Sequence, residues 1–296
     1  MTLIQDQTED TSSQTNSPIL YRPMTDEDLP IAYELSQIVK WPHRIEDWKM
    51  VMRLGNSFVA EENGVTVGTA LCWSHGDQYS SLGMVIVSPE KQGRGIGRQL
   101  MNQVLNDIGD EKNVILFATP SGQPLYESFG FKATGEVYQH QAIVEKTSPV
   151  ALSGGKTLRS VDQNDYANVI QLTEKACGIA RSAMIKDVMS FGDAVVIEEN
   201  GEITGFAMVR PFGRGHAIGP VIAKDTDLAK SLIQYWINAL ESKFVRIDIP
   251  ANSGLSAWLA EVGLPQVDTV VEMVRGESPT RDDETRQYAL VSQALG

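Results

Sequence analysis

Apolar and polar positions alternate in a way that divides the chain into short elements, and many of these mark their own ends. Met84-Val85-Ile86-Val87 is a continuous apolar run of strand length. Ile96, Leu100, Met101, Val104, Leu105 and Ile108 then recur at helical spacing, and Gly109 closes that run. Between strand and helix lies Gln92-Gly93-Arg94-Gly95-Ile96-Gly97. A strand, a glycine-rich turn and a helix N-terminus bring unpaired backbone N–H groups together where the helix dipole favours negative charge. Glycines at 93, 95 and 97 carry no Cβ to hold a diphosphate away from the backbone. The pattern predicts a site for a phosphate-bearing ligand.

Further along, Val114-Ile115-Leu116-Phe117-Ala118 reads as a strand and Thr119 to Pro124 as a turn, before Leu125-Tyr126-Glu127-Ser128-Phe129-Gly130-Phe131. Thr8 to Ser17 contains no apolar residue, so the first 18 residues are expected to form a flexible tail. Gly276 to Arg286 reads as a charged loop leading to a final strand, Tyr288-Ala289-Leu290-Val291.

The pattern repeats. Glu61-Glu62-Asn63-Gly64 returns as Glu198-Glu199-Asn200-Gly201, at 198 − 61 = 137, and Arg22 and Asp28 return as Arg159 and Asp165 at the same offset. In both halves this predicts a strand, a helix and a hairpin turned by Asn-Gly. Gly83 to Val87 pairs with Gly219-Pro220-Val221-Ile222-Ala223, and Gly130 with Gly263. Four matches in order point to two copies of one fold. The offset then falls from 219 − 83 = 136 to 232 − 100 = 132, so the second copy lacks four residues at the glycine-rich turn. Asp225 and Asp227 stand there instead, where they would repel a diphosphate, and Leu259 stands where the first copy has Tyr126.

The turn does not fit the dinucleotide fingerprint, because the third glycine of Gly93-Arg94-Gly95-Ile96-Gly97-Arg98 comes one position early, and no Gly-Lys-Ser/Thr follows to make a Walker loop. It resembles the acyl-CoA pyrophosphate loop of the GCN5-related N-acetyltransferases, Gln/Arg-x-x-Gly-x-Gly/Ala, at Gln92, Gly95 and Gly97. The Leu125 to Phe131 segment resembles that family's Leu-Tyr-Glu-Lys-x-Gly-Phe, in which a short helix carries a tyrosine. With the repeat, the chain is similar to a tandem double-domain subgroup whose C-terminal copy is degenerate. The resemblance implies an α/β (α+β) fold of two tandem domains, each a mixed, mostly antiparallel sheet flanked by helices. Residues 19–148 would form the catalytic acetyl-CoA-binding domain, and 149–296 a copy without phosphate loop.

The resemblance also implies roles. Acetyl-CoA would lie along Met84, Val85, Ile86 and Val87, with its diphosphate on the N–H groups of Gln92, Gly93, Arg94, Gly95, Ile96, Gly97 and Arg98. Thr119 stands where the family commonly has an asparagine that contacts donor or acceptor. Tyr126 would protonate the leaving thiolate. The strand before the glycine-rich turn lacks the family's glutamate base, having Ser81 and Leu82 there, so the base stays open. His75 has the best intrinsic pKa, beside Asp77, Glu61, Glu62 or a water chain. Trp41 and His43 lie in the connection that lines the acceptor pocket in this fold, and Arg210 to Arg214 of the second copy could wall its other side.

Composition narrows the partners. Hydrophobic residues make up 42%, in the globular range, and the formal charge of -13 argues against nucleic acid or an anionic membrane. Cys72 and Cys177 cannot build a disulfide framework and show no metal-ligand spacing. No apolar run reaches about 18 residues, which predicts a soluble, cytoplasmic protein without metal. The expected reaction is N-acetylation of a small primary amine, such as an amino acid derivative, polyamine or amine metabolite. A protein lysine or N-terminal acceptor comes next, and a non-enzymatic acyl-CoA sensor is the rival from another class.

Overall fold

Asn63-Gly64 and Asn200-Gly201 turn their hairpins alike. Their φ values are 54° and 78° in the first pair and 53° and 83° in the second. Positive φ at both central residues is the type I′ geometry, whose twist matches that of the flanking strands. In the computed structural model, which describes residues 17–148, 152 and 154–296, the same series of elements then follows in each half. The first half runs β1 (Ile19–Pro23), α1 (Leu29–Ile38), α2 (Ile45–Leu54), β2 (Asn56–Glu62), β3 (Val65–His75), β4 (Tyr79–Val87), α3 (Ile96–Ile108), β5 (Asn113–Ala118), α4 (Gln123–Glu127) and β6 (Lys132–Ile143). The second runs β7 (Thr157–Ser160), α5 (Tyr166–Cys177), α6 (Ser182–Met189), β8 (Asp193–Glu199), β9 (Glu202–Phe212), β10 (Gly215–Ala223), α7 (Thr226–Ala239), β11 (Phe244–Pro250), α8 (Ser256–Glu261) and β12 (Gln266–Arg275). A last strand, β13 (Arg286–Ala289), begins earlier and ends earlier than the apolar run from Tyr288 predicts. The tail expected over 1–18 lies outside the described residues except for Ser17 and Pro18.

All the strands join one 13-stranded sheet, in the order β1-β2-β3-β4-β5-β12-β6-β11-β10-β9-β8-β7, with β13 beside β10. The pairs β4–β5 and β10–β11 are parallel and the rest antiparallel. At the centre the halves exchange strands. β6 of the first half pairs with β11 from Val137↔Pro250 to Ile143↔Phe244, while β12 of the second pairs with β5 from Val271↔Ala118 to Arg275↔Val114. Segments 19–148 and 149–296 are therefore interleaved across the middle of the sheet.

The helices cover both faces. α3 packs through Ile96, Leu100 and Met101 on the first half, and α7 through Leu232 and Ile233 on the second. On the opposite face α1, α2, α5 and α6 bury one shared core, in which Trp48, Met84, Ile185 and Phe206 belong to a single cluster. Trp48 is fully buried, and its Nε1 donates to Ser36 Oγ at 3.2 Å. Truncating a buried tryptophan of this kind to alanine costs about 3–5 kcal/mol. Among the described residues no helix is long and apolar enough to cross a membrane.

Candidate functional site

β4 and β5 are parallel neighbours only from Tyr79↔Asn113 to Ser81↔Ile115. Past that point β4 bulges: Met84 has φ 52°, and the register with β3 shifts between Thr69 and Leu71. Thr69 Oγ1 donates to Met84 O at 2.7 Å and holds the bulge in place. A bulge bends a strand and re-aims it. Met84 to Val87 consequently run with no strand on the β5 side, leaving a gap with free backbone groups along one edge.

The gap leads to the glycine-rich turn. Gly93 and Gly95 have φ of 78° and 77°, and a Cβ at either would meet nothing within 4 Å. The left-handed backbone there accounts for glycine, and the space beside it is open. Gly95 is the N-cap of α3, and the first intrahelical bond runs from Gln99 N to Gly95 O at 3.1 Å. The N–H groups of Ile96, Gly97 and Arg98 therefore point out of the helix start. Gln92 Nε2 donates to Val87 O at 3.1 Å and ties the turn to β4. Arg94 donates to Glu62 Oε1 at 2.8 Å, Lys91 pairs with Glu62 Oε2 at 2.6 Å, and Arg98 reaches Ser128 Oγ at 3.2 Å. Arg94, then Lys91, hold the Glu62 carboxyl down at about 2.

At the other end of the gap opens a cavity of about 390 Å³. Met84, Val85, Thr119 and Tyr126 line it from the first half of the chain, as do Trp41 and His43. Tyr126 sits on α4, only 9% exposed, and burial pushes its hydroxyl up to about 12, so it is a proton donor at neutral pH. Trp41 and His43 lie with ring centroids 6.1 Å apart. His43 is neutral, because burial and then Arg246 lower its pKa to about 4.

The second half closes the cavity. Phe212 and Arg214 from the β9–β10 hairpin line it, with Arg246 of β11 and Ser292 to Ala294 of the C-terminal segment. Phe212 meets the His43 ring edge-on at 5.4 Å. Arg44 Nη2 donates to Pro211 O at 2.9 Å, and Gly213 N donates to Asp47 Oδ2 at 3.1 Å, so the hairpin is docked on the head of α2.

The second copy has the same gap, filled. β10 and β11 pair from His216↔Val245 to Ile218↔Ile247, and beyond that Val221, Ile222 and Ala223 pair with β13. These correspond by the repeat to Val85, Ile86 and Val87. The protein's own strand occupies the edge that is free in the first copy. At the head of α7, Asp225 accepts from Leu228 N at 2.9 Å, so a carboxylate already caps the amides that the first copy leaves open. Leu259 on α8 is fully buried.

Sequence reasoning misplaced some groups. His75, the candidate base, is the last residue of β3. Its Nε2 lies 2.8 Å from Ser81 Oγ, it borders a separate depression beside Arg181, and burial lowers its pKa to about 3. Nothing brings it to the cavity. Glu61 pairs with Arg22 and Glu62 with Lys91 and Arg94, so neither is a free base. Asp77 is exposed on the β3–β4 turn. Among the described residues Asp268 is the one carboxylate lining the cavity. Arg246 was missed, although Phe244-Val245-Arg246-Ile247-Asp248-Ile249 sets two charges on one face of an otherwise apolar strand.

Comparison with known proteins agrees with this architecture. The acetyltransferase (GNAT) domain matches twice, over residues 29–145 and 169–289. An uncharacterized N-acetyltransferase of Bacillus subtilis is 28% identical over 223 residues, 74% of this chain and 77% of that protein. The holothin acyltransferase of a Pseudoalteromonas species is 22% identical over 282 residues, 93% of this chain and 94% of that protein. Among solved structures, a candidate acetyltransferase from Pyrococcus horikoshii superposes with TM-score 0.77 at 20% identity, covering 99% of this chain and 100% of its own. A tandem GNAT protein from the clavulanic acid biosynthesis pathway gives TM-score 0.66 at 14% identity, covering 88% of this chain and 100% of its own. With two matching domains spread over most of its length, the chain belongs to the GNAT acetyltransferase family and is an acyltransferase of tandem-domain build.

Proposed function

We propose that the protein is an N-acetyltransferase that moves the acetyl group of acetyl-CoA to the primary amine of a small molecule, using the first copy alone. The observation that carries this reading is the continuous path from the open turn at Gly93–Gly95, along the unpaired edge of β4, to Tyr126 at the cavity. The diphosphate would sit on the amides at the head of α3, and the pantetheine would pair with Met84 to Val87 as an added strand. Holding both reactants in one cavity supplies much of the acceleration. An N–H at the β4 bulge would polarise the thioester carbonyl. The amine nitrogen attacks the carbonyl carbon, the C–S bond breaks as Tyr126 gives its proton to the departing thiolate, and the proton lost from the nitrogen would return through solvent to the Tyr126 oxygen. A volume of about 390 Å³ suits a small molecule better than a protein surface. The name of the Pseudoalteromonas relative, holothin acyltransferase, also favours a small acceptor.

Thiol release from acetyl-CoA, followed over a panel of amines, tests the reading. Tyr126→Phe is expected to lower kcat by about 10²-fold or more while leaving acetyl-CoA affinity unchanged. The scarcity of carboxylates at the cavity favours a second reading, an acyl-CoA sensor, for which Tyr126→Phe would change nothing.

A further inference from the structure

The far end of the cavity is cationic, against the sense of the whole chain. The protein carries a formal charge of -13, yet the charged residues lining the cavity are Lys40, Arg214 and Arg246 against Asp268 alone. Arg246 is 8% exposed. Its Nε lies 3.0 Å from Asp248 Oδ2, and its two amino nitrogens make no hydrogen bond among the described residues. Asp248 is itself shared, accepting from Gln293 Nε2 at 3.1 Å. Behind Arg246 stands a second guanidinium. Arg210 is fully buried, donates Nη2 to Val291 O at 2.9 Å, and leaves Nε and Nη1 without a partner. Both guanidinium carbons approach the Phe212 ring, at 4.8 Å for Arg210 and 5.5 Å for Arg246. The nearby Asp47 acts on Arg210, but its charge is already paired with Arg44, so the three guanidinium groups of Arg44, Arg210 and Arg246 face two carboxylates, Asp47 and Asp248. His43 contributes no charge at neutral pH.

Two guanidinium groups packed on one ring, with fewer carboxylates than guanidinium groups around them, leave buried positive charge that is costly for a fold to keep. An anion entering the cavity would remove that cost. Arginine presents two parallel N–H donors, the geometry that a carboxylate accepts. Sheet order puts Arg246 on the side of the cavity away from the thioester, on β11, three strand positions from β5, and its long side chain and that of Tyr126 reach into the same cavity from the two sides.

We propose that the acceptor is an amino acid-like molecule whose carboxylate binds Arg246, with Arg214 and Lys40 at the rim, while its amine faces Tyr126. This rests on the N-acetyltransferase reading and names the substrate class of the same site. The carboxylate comes from the acceptor and not from the acyl chain, because the acyl chain enters from the β4–β5 gap.

The test uses the full chain and acetyl-CoA with the common L-amino acids, β-alanine, γ-aminobutyrate and glycylglycine, each beside its carboxamide. At least one acid is expected to exceed its amide by more than about tenfold in kcat/KM. Arg246→Gln should abolish that preference mainly by raising the KM of the acid, with the acetyl-CoA affinity at the parent value. Arg214→Gln gives a smaller loss at the rim and stands in if Arg246→Gln fails to fold. Acetylation of amides and neutral amines at least as fast as acids overturns the proposal and leaves the N-acetyltransferase reading standing. Acceptance of succinyl-CoA with a neutral amine, lost in Arg246→Gln, would assign the carboxylate to the acyl chain and overturn it too. Acetyl-CoA binding with no amine turned over overturns both.

Discussion

Arg22 and Arg159, 159 − 22 = 137 residues apart, make the same contacts with the same partners. Arg22 donates Nε to Glu61 at 2.8 Å and its two amino groups to Asp28 at 2.7 and 2.8 Å. Arg159 donates Nε to Glu198 at 2.9 Å and its amino groups to Asp165 at 2.6 and 2.9 Å. Each arginine ties the first strand of its copy to the first helical turn and to the neighbouring strand. The fastening outlived the divergence of the sites, so it belongs to the fold and not to the chemistry.

Asp28→Asn and Asp165→Asn should therefore destabilise alike, by about 1.5–3 kcal/mol each, the worth of hydrogen bonds to a charged group. Hydrogen bonds from Arg22 hold the Asp28 carboxyl well below the usual carboxylate range, and those from Arg159 do the same for Asp165. A depressed folded pKa contributes stability that is complete above about pH 4 and declines progressively as pH falls from there through the folded pKa. Urea denaturation at pH 7 and pH 3 checks this. Both deficits should be smaller at pH 3 than at pH 7, without vanishing at Asp28, whose folded carboxyl still ionises there.

Buried His75 and half-buried His43 set a second acid dependence. His43 and His75 are neutral in the folded protein, with pKa values lowered by burial to about 4 and about 3. Between those values and about 6.5 the unfolded chain binds more protons, so stability rises with pH across that window. The slope is at most about 1.4 kcal/mol per pH unit for each group. Thermal unfolding followed from pH 4.5 to pH 7.5 should show the midpoint climbing and then levelling near pH 6.5. His75→Gln should flatten that climb and leave acetyl transfer at pH 7.5 within about twofold, because His75 lies outside the cavity. A rate loss comparable to that of Tyr126→Phe would return His75 to the chemistry.

Much of the first half was legible because its signals are local. The Gly93-Arg94-Gly95 turn, the periodic run from Ile96 and the short helix around Tyr126 are each encoded within a few residues. The Asn-Gly turns and the shared offset gave the duplication. The exchange of β6 and β12 was not legible, since nothing in either strand says whether its partner is β5 or β11. For the same reason His75 was misread: its value as a base depends on Ser81 and Arg181, and its strand turns it away from Tyr126. Lys91 and Arg94 meet Glu62 across about 30 residues, a contact with no sequence signature.

One acetyl-CoA per chain is the expected stoichiometry in isothermal titration. Gly95→Glu should abolish it, by placing a side chain and a negative charge among the amides at the head of α3. Asp225→Gly removes the capping carboxylate of α7 but should create no second site, because β13 still fills the gap beside Val221 to Ala223. Two sites in the parent chain would mean that the second copy binds in spite of this.

β13 also links the filled gap to the cavity. The segment that follows it carries Ser292, Gln293 and Ala294 into the cavity wall, and Gln293 holds Asp248 behind Arg246. The second half thus uses the edge that β13 fills to anchor part of the cavity wall. A Cβ added at Gly219 would fall on the carbonyl oxygen of Leu290, so Gly219→Ala should push this segment out of place. Gln293→Ala is the milder probe, removing one hydrogen bond and leaving the backbone alone. Both are expected to raise the KM of the acceptor, Gln293→Ala by about threefold to tenfold for the loss of one hydrogen bond to a charged group, while acetyl-CoA affinity stays at the parent value. Donor and acceptor affinities that fall together would show instead that the segment supports the whole fold and not the acceptor site.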